Sequence, residues 1–149
     1  HALAQALRGH QNLYVITNGL SVASVLGQGL HANVYVLAGR LDARKQATVS
    51  RPGDEGLPHL QVREAFLGVH ALSAQGIYMR DPEDADMNKA FMGAARRVTV
   101  LADYTKLHAF ASFRINDWSS VQRLVTDAKA DPDILNLLRQ QGVEVVVAA

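Results

Sequence analysis

The chain contains no cysteine among its 149 residues. That excludes disulfides, cysteine-ligated zinc and a thiol nucleophile, and it fits a cytoplasmic setting. A long apolar run is missing as well: nothing approaches the ~18 residues that a membrane span requires. The opening HALAQALRGH lacks a basic segment followed by an apolar core, so it does not read as a secretory signal. Nor is one sign of charge in excess. The formal net charge is +1, and the basic pairs Arg44–Lys45 and Arg96–Arg97 stand alone, so no basic face points to nucleic acid. Tryptophan occurs once, as Trp118, and suits core or interface better than a stacking platform.

Several catalytic and metal motifs are absent too. The six histidines are His1, His10, His31, His59, His70 and His108. None forms an i, i+4 pair, and no His-Glu-x-x-His occurs, so no metal site or cofactor is expected. There is no Gly-x-Ser-x-Gly, Walker sequence or Gly-x-Gly-x-x-Gly. Glu83, Asp84 and Asp86 fall in the first turn of a predicted helix, where clustered acids more often complement the helix dipole than catalyse.

What is present is enough apolar content for a core, 48 % of residues, in a chain of one-domain length. Leu3 and Leu7 before Gly9 read as the last part of an amphipathic helix. Strands are predicted at Leu13–Thr17 and Asn33–Leu37, with a helix over Ser21–Leu26 between them. Residues 40–60, with Pro52 and Pro58, read as mostly loop with a short helix towards Val62. A third strand is expected at Ala65–Val69, followed by a loop around Gly76. Asp81–Pro82 starts a helix, an acid able to cap free amides and then proline at the first position. Arg96 and Arg97 would close that helix, and Val98–Ala102 would be the fourth strand. Arg123–Thr126 is the fifth, Asp131–Pro132 starts another helix that Gly142 stops, and Val143–Ala148 is the last strand.

Alternation of this kind implies an α/β fold with a mainly parallel, Rossmann-like sheet covered by helices on both faces. Such sheets bind ligands beyond the carboxyl ends of their strands. Three polar groups fall there: Thr17–Asn18, Gly39–Arg40 and Asp103-x-Thr105-Lys106. Lys106 suits an anion, Thr105 could donate its hydroxyl, and Asp103 could accept from a sugar hydroxyl. The same residues also suit an ordinary polar loop, and Asn18 also suits a cap on the following helix. His70 and His108 flank strand-end loops.

In order, Leu13-x-Val15-x-Thr17-Asn18, Val34-x-Val36-Leu37-x-Gly39, Ala65-Phe66-Leu67-Gly68, a helix ending in Ala94-Ala95-Arg96, Leu101-Ala102-Asp103-x-Thr105-Lys106, Leu124-Val125-Thr126-Asp127 and Gly142-Val143-Glu144-Val145 resemble the carboxy-terminal sensor domain of DeoR-family bacterial transcriptional regulators. The resemblance covers nearly the whole chain. It implies a fold similar to ribose-phosphate isomerases, glucosamine-phosphate deaminases and coenzyme A transferases. It also implies a non-enzymatic role: residues 1–149 would bind a phosphorylated sugar or related metabolite and so modulate DNA binding by an amino-terminal helix-turn-helix outside this sequence, in most family members as a repressor. By position, Thr17, Asn18, Gly39, Asp103, Thr105 and Lys106 would line the effector site, with Lys89 on the helix before the fourth strand. A homodimer or homotetramer is expected, since regulators that read paired half-sites are commonly oligomeric.

The departures from the family pattern are specific. Its phosphate loop, an Asp-Ser-Gly-Ser/Thr-Thr stretch, would precede His1, so the sequence reads as a fragment. The glycine expected beside Gly39 is Ala38, and Ser50 stands where another glycine is usual. Gly-Ala-Asp after the third strand reads Gly68-Val69-His70, which loses the acid. Tyr78 replaces a threonine. These changes leave open a different ligand or an oligomerisation domain with a vestigial pocket. An isomerase- or deaminase-like enzyme of the same fold is the other alternative, with His70 and Glu83 as its candidate proton carriers.

Overall fold

The computed structural model describes residues 1–29, 32–50 and 59–148. The chain divides into two compact units, His1–Gly56 and Leu57–Ala149.

The first unit contains α1 (Ala2–Leu7), β1 (Leu13–Thr17), α2 (Leu20–Gly27), β2 (Ala32–Val36), β3 (Arg40–Asp42) and β4 (Ala47–Val49). β1 and β2 pair in parallel, from Leu13 opposite Ala32 to Thr17 opposite Val36. Parallel neighbours need a crossover, and α2 supplies it. Leu26 of α2 is fully buried. Residues 40–60, expected to be mostly loop, instead hold the antiparallel hairpin of β3 and β4. Asp42 closes its turn, its Oδ1 accepting from the N–H groups of Arg44 and Lys45 at 3.0 and 3.2 Å, and Gln46 takes a φ of 50°. The strands are three residues each, too short to leave a periodic signal. Val62, where a short helix was expected, opens a strand; the rest of that expectation, with Pro52 and Pro58, lies outside the described residues.

The second unit contains β5 (Val62–Gly68), β6 (Ala71–Ser73), β7 (Gly76–Met79), α3 (Pro82–Ala94), β8 (Ala95–Leu101), β9 (Phe113–Asn116), β10 (Arg123–Asp127), α4 (Pro132–Gln140) and β11 (Glu144–Ala148). Its main sheet runs β11-β10-β8-β5, all parallel. This is the mainly parallel α/β architecture that the sequence pattern predicts. Ala65, Leu67, Val98, Val100, Leu124 and Leu138 lie in one buried cluster. Both predicted helix starts hold. Asp81 Oδ1 accepts from the Asp84 N–H at 3.0 Å, and Asp131 Oδ1 from the Asp133 N–H at 2.9 Å. Such caps satisfy amides that have no partner inside the helix.

Two expectations fail here. Arg96 and Arg97 do not close α3. The helix stops at Ala94 and β8 starts at Ala95, so both arginines are strand residues. Arg97 reaches across the sheet to Glu144 at 2.6 Å, and Arg123 pairs with the same carboxylate at 3.0 Å. Arg123 and then Arg97 hold the Glu144 carboxyl below its usual range. The segment around Gly76 is not a loop but the hairpin of β6 and β7, which β9 joins in a small antiparallel sheet. Trp118 is buried, and its Nε1 donates to the Ser73 carbonyl at 2.7 Å. Among the described residues, no helix is long and apolar enough to cross a membrane.

Candidate functional site

In the first unit, the carboxyl end of β1 carries Thr17 and Asn18. Thr17 Oγ1 accepts from the Gly19 N–H at 3.0 Å, which leaves its hydroxyl hydrogen to donate elsewhere. Asn18 does not cap α2: the cap is Gly19, without a side-chain bond. Instead Asn18 grips β4. Its Nδ2 donates to the Thr48 carbonyl at 3.1 Å, and its own carbonyl accepts from the Thr48 N–H at 2.8 Å. Thr48 Oγ1 donates to the Leu37 carbonyl at 2.7 Å. The β3–β4 hairpin therefore ties the ends of both parallel strands together. Gly39 has a φ of 153°, and a Cβ there would lie 2.5 Å from the Val49 carbonyl oxygen. Only glycine lets the two backbones approach this closely.

In the second unit, β8 ends at Leu101, and Asp103 caps a single 3-10 turn, Tyr104–Lys106. Asp103 Oδ1 accepts from the Thr105 N–H at 2.9 Å and also from the Thr105 hydroxyl. The Thr105 hydroxyl, then its N–H, and the charge of Lys106 hold the Asp103 carboxyl below its usual range, against a smaller opposing effect of burial. The carboxylate is thus ionised near neutral pH and its turn is fixed. Lys106 is partly exposed, and its N–H donates to the Asp103 carbonyl at 3.0 Å. The structure brings Asp103, Thr105 and Lys106 together. Lys89 is exposed on α3, and no hydrogen bond or ion pair between described residues links it to that turn.

Asp127 is a functional candidate that the sequence reading placed in a motif but not in the site. It ends β10, beside β8. Its Oδ2 accepts from the Tyr104 N–H at 2.8 Å, and its Oδ1 from the Lys129 N–H at 2.9 Å. The Lys129 ammonium then lies 5.3 Å from the centre of the Tyr104 ring, within cation–π range. The second Asp127 bond follows a local pattern that does not by itself mark a site, an aspartate accepting from the N–H two residues on. Asp103, Asp117, Asp127 and Asp131 all use it. Thr48 was also missed, because its hairpin was read as loop.

Tyr78 lines a different feature, an open groove of about 240 Å³ shared with Leu72, Phe110 and Ala111. The groove is mostly apolar and holds no charged side chain for an anion. Among the described residues, no cluster of three or more histidine or acidic side chains could hold a metal.

Comparison with known proteins agrees with this architecture. The "DeoR C terminal sensor domain" family model matches residues 1–128. The HTH-type transcriptional repressor GlcR of Bacillus subtilis (strain 168) is 29 % identical over 146 residues, which is 96 % of this chain and 57 % of the relative. The putative aga operon transcriptional repressor of Escherichia coli O157:H7 is 25 % identical over 146 residues, 97 % of this chain and 54 % of the relative. The HTH-type transcriptional repressor CsqR of Escherichia coli (strain K12) is 27 % identical, with 97 % and 56 % covered. The chain spans about half the length of these curated relatives. With a match over most of its length and this mainly parallel sheet, the chain belongs to the DeoR C-terminal sensor domain family.

Proposed function

We propose that residues 1–149 act as the effector-sensing part of a cytoplasmic transcriptional repressor and bind a phosphorylated sugar or related metabolite. DNA would be bound by a helix-turn-helix outside this sequence, in a homodimer or homotetramer. The relatives' printed names as repressors support the regulatory part of this reading. The observation that carries the ligand part is the fixed turn at the carboxyl end of β8. There an ionised Asp103 accepts from the Thr105 hydroxyl and N–H, and Lys106 offers a cation three residues on. Parallel sheets place ligands at such ends. Effector contacts are proposed for each unit separately: Thr17, Asn18 and Gly39 in the first, and Asp103, Thr105, Lys106 and the more remote Lys89 in the second. A ligand alters DNA affinity only by favouring one arrangement of the regulator over another.

A thermal-shift screen of phosphorylated and free sugars on the protein at its natural length tests this reading. A ligand at a hundred times its dissociation constant adds ~2.7 kcal/mol, a shift of several degrees. Shifts confined to phosphorylated sugars support the reading. No shift with any of them favours another metabolite or a vestigial pocket. Charge-assisted bonds are the stronger kind, so Lys106→Ala should weaken binding more than Thr105→Ala. Equal affinities for the two variants would remove Lys106 from its role.

A further inference from the structure

β11 leaves one side of the main sheet open. The sheet runs β11-β10-β8-β5, so among the described residues β11 has a strand neighbour on one side only. Glu144 turns its backbone inward, its N–H donating to the Gln122 carbonyl at 3.0 Å. Backbone groups alternate sides along a strand. Val146 and Ala148 therefore also face β10, and Val145 and Val147 present their N–H and carbonyl groups to the open edge. Val146 is 39 % exposed and Val147 43 %. Successive side chains point to opposite faces of the sheet, so a helix laid on either face would cover one of these valines and leave the other. A strand alongside covers both. Open edges are usually guarded by lysine, proline, a bulge or an inward charge. β11 reads Glu-Val-Val-Val-Ala and pairs with β10 in unbroken register, and its one charge is engaged by Arg97 and Arg123.

We infer that β11 is the edge by which two copies of this chain join, antiparallel about a twofold axis at Val146. In that register Val145 of each copy opposes Val147 of the other. Four N–H···O=C bonds then use every backbone group that these valines turn outward. Glu144 opposes Ala148, so no like charges meet across the axis. The occupant is a second copy because the strand is complementary to itself, as an isologous interface requires. This inference rests on the oligomeric part of the reading above and names the surface that builds the oligomer.

Two variants of the protein at its natural length test it. Val147→Pro removes one outward N–H from each copy, and a strand edge whose N–H faces solvent tolerates proline. Loss of two of the four bonds should raise the dissociation constant of this interface about thirtyfold in sedimentation equilibrium. A dimer would then dilute to monomers, and a tetramer to dimers. Val146→Cys sets two thiols across the axis, where facing Cα atoms lie about 4.5 Å apart, within disulfide reach. Residues 1–149 contain no cysteine. Under a mild oxidant this variant should therefore gain a reducible covalent dimer that wild type lacks, while Val147→Cys, off the axis, should not. An unchanged dissociation constant in Val147→Pro, or no cross-link from Val146→Cys, overturns the interface and leaves the sensor reading standing. A strand of the same protein seated on β11 would give that result, with Val147→Pro lowering the melting temperature instead. A monomeric wild type overturns the interface and the oligomeric expectation together, and leaves sugar-phosphate binding as a separate question for the thermal-shift screen.

Discussion

Asp127→Ala removes the carboxylate that joins two strand-end loops. Both of its hydrogen bonds, to the Tyr104 and Lys129 N–H groups, are at the surface. A bond to a charged acceptor contributes about 1.5–3 kcal/mol in shelter, but water replaces part of it here, and about 1 kcal/mol for each amide is the appropriate scale. Local opening of each amide should therefore become about fivefold more frequent. Hydrogen exchange, read amide by amide, checks this without requiring the whole protein to unfold in one step. Asp127→Asn keeps one acceptor oxygen and should protect one of the two amides while releasing the other. Effector affinity should fall alongside, because Tyr104 opens the turn that presents Lys106. If Asp127→Ala leaves both exchange rates unchanged, the carboxylate does not hold the loops and its place beside the site is incidental.

Three further outcomes follow from the same geometry. Gly39→Ala would put a Cβ 2.5 Å from the Val49 carbonyl oxygen, whereas Gly68→Ala meets nothing within 4 Å. The first should lower the melting temperature by several degrees, at about 1–3 kcal/mol of strain, and the second should leave it nearly unchanged. Asp103 has a depressed carboxyl pKa in the folded state. Its contribution is therefore present above the unfolded value of about 3.9 and is lost as pH falls through the folded one. Exchange protection of the Thr105 amide, followed by NMR on acidification, should persist at pH 5 and disappear only well into the acid range. Leu138 is fully buried in α4, so Leu138→Ala should destabilise by about 2–5 kcal/mol in denaturant titration, and a loss under about 1 kcal/mol would mean that the core collapses to fill the gap.

The parallel strands were legible because each is a short apolar run ended by a turn signal. LYVIT stops at Asn18–Gly19, and VTVLA stops at Asp103. The helix starts were legible because an aspartate followed by proline has a local mechanism. The hairpins were not. ATV and RLD are too short and too mixed to show a period of two, and the pairing that makes them strands comes from residues elsewhere in the chain. Arg96 and Arg97 misled for a related reason. Cations suit the last turn of a helix, but Arg97 has a stronger claim across the sheet in Glu144, 47 residues away. In the site, Asp103, Thr105 and Lys106 were visible as one contiguous stretch. Asp127 was not, because its importance lies in accepting an N–H 23 residues away, and spacing along the chain does not report that.

The junction of α3 and β8 has a mechanical consequence. Ala94 is the last residue of the helix and Ala95 the first of the strand, so no slack separates them. Most helix–strand joints contain a few loop residues that absorb small displacements. Here a displacement of α3 would reach β8 without crossing a loop. The turn at the far end of β8 would then move with the helix, and a pull on that turn would travel back along the same rod.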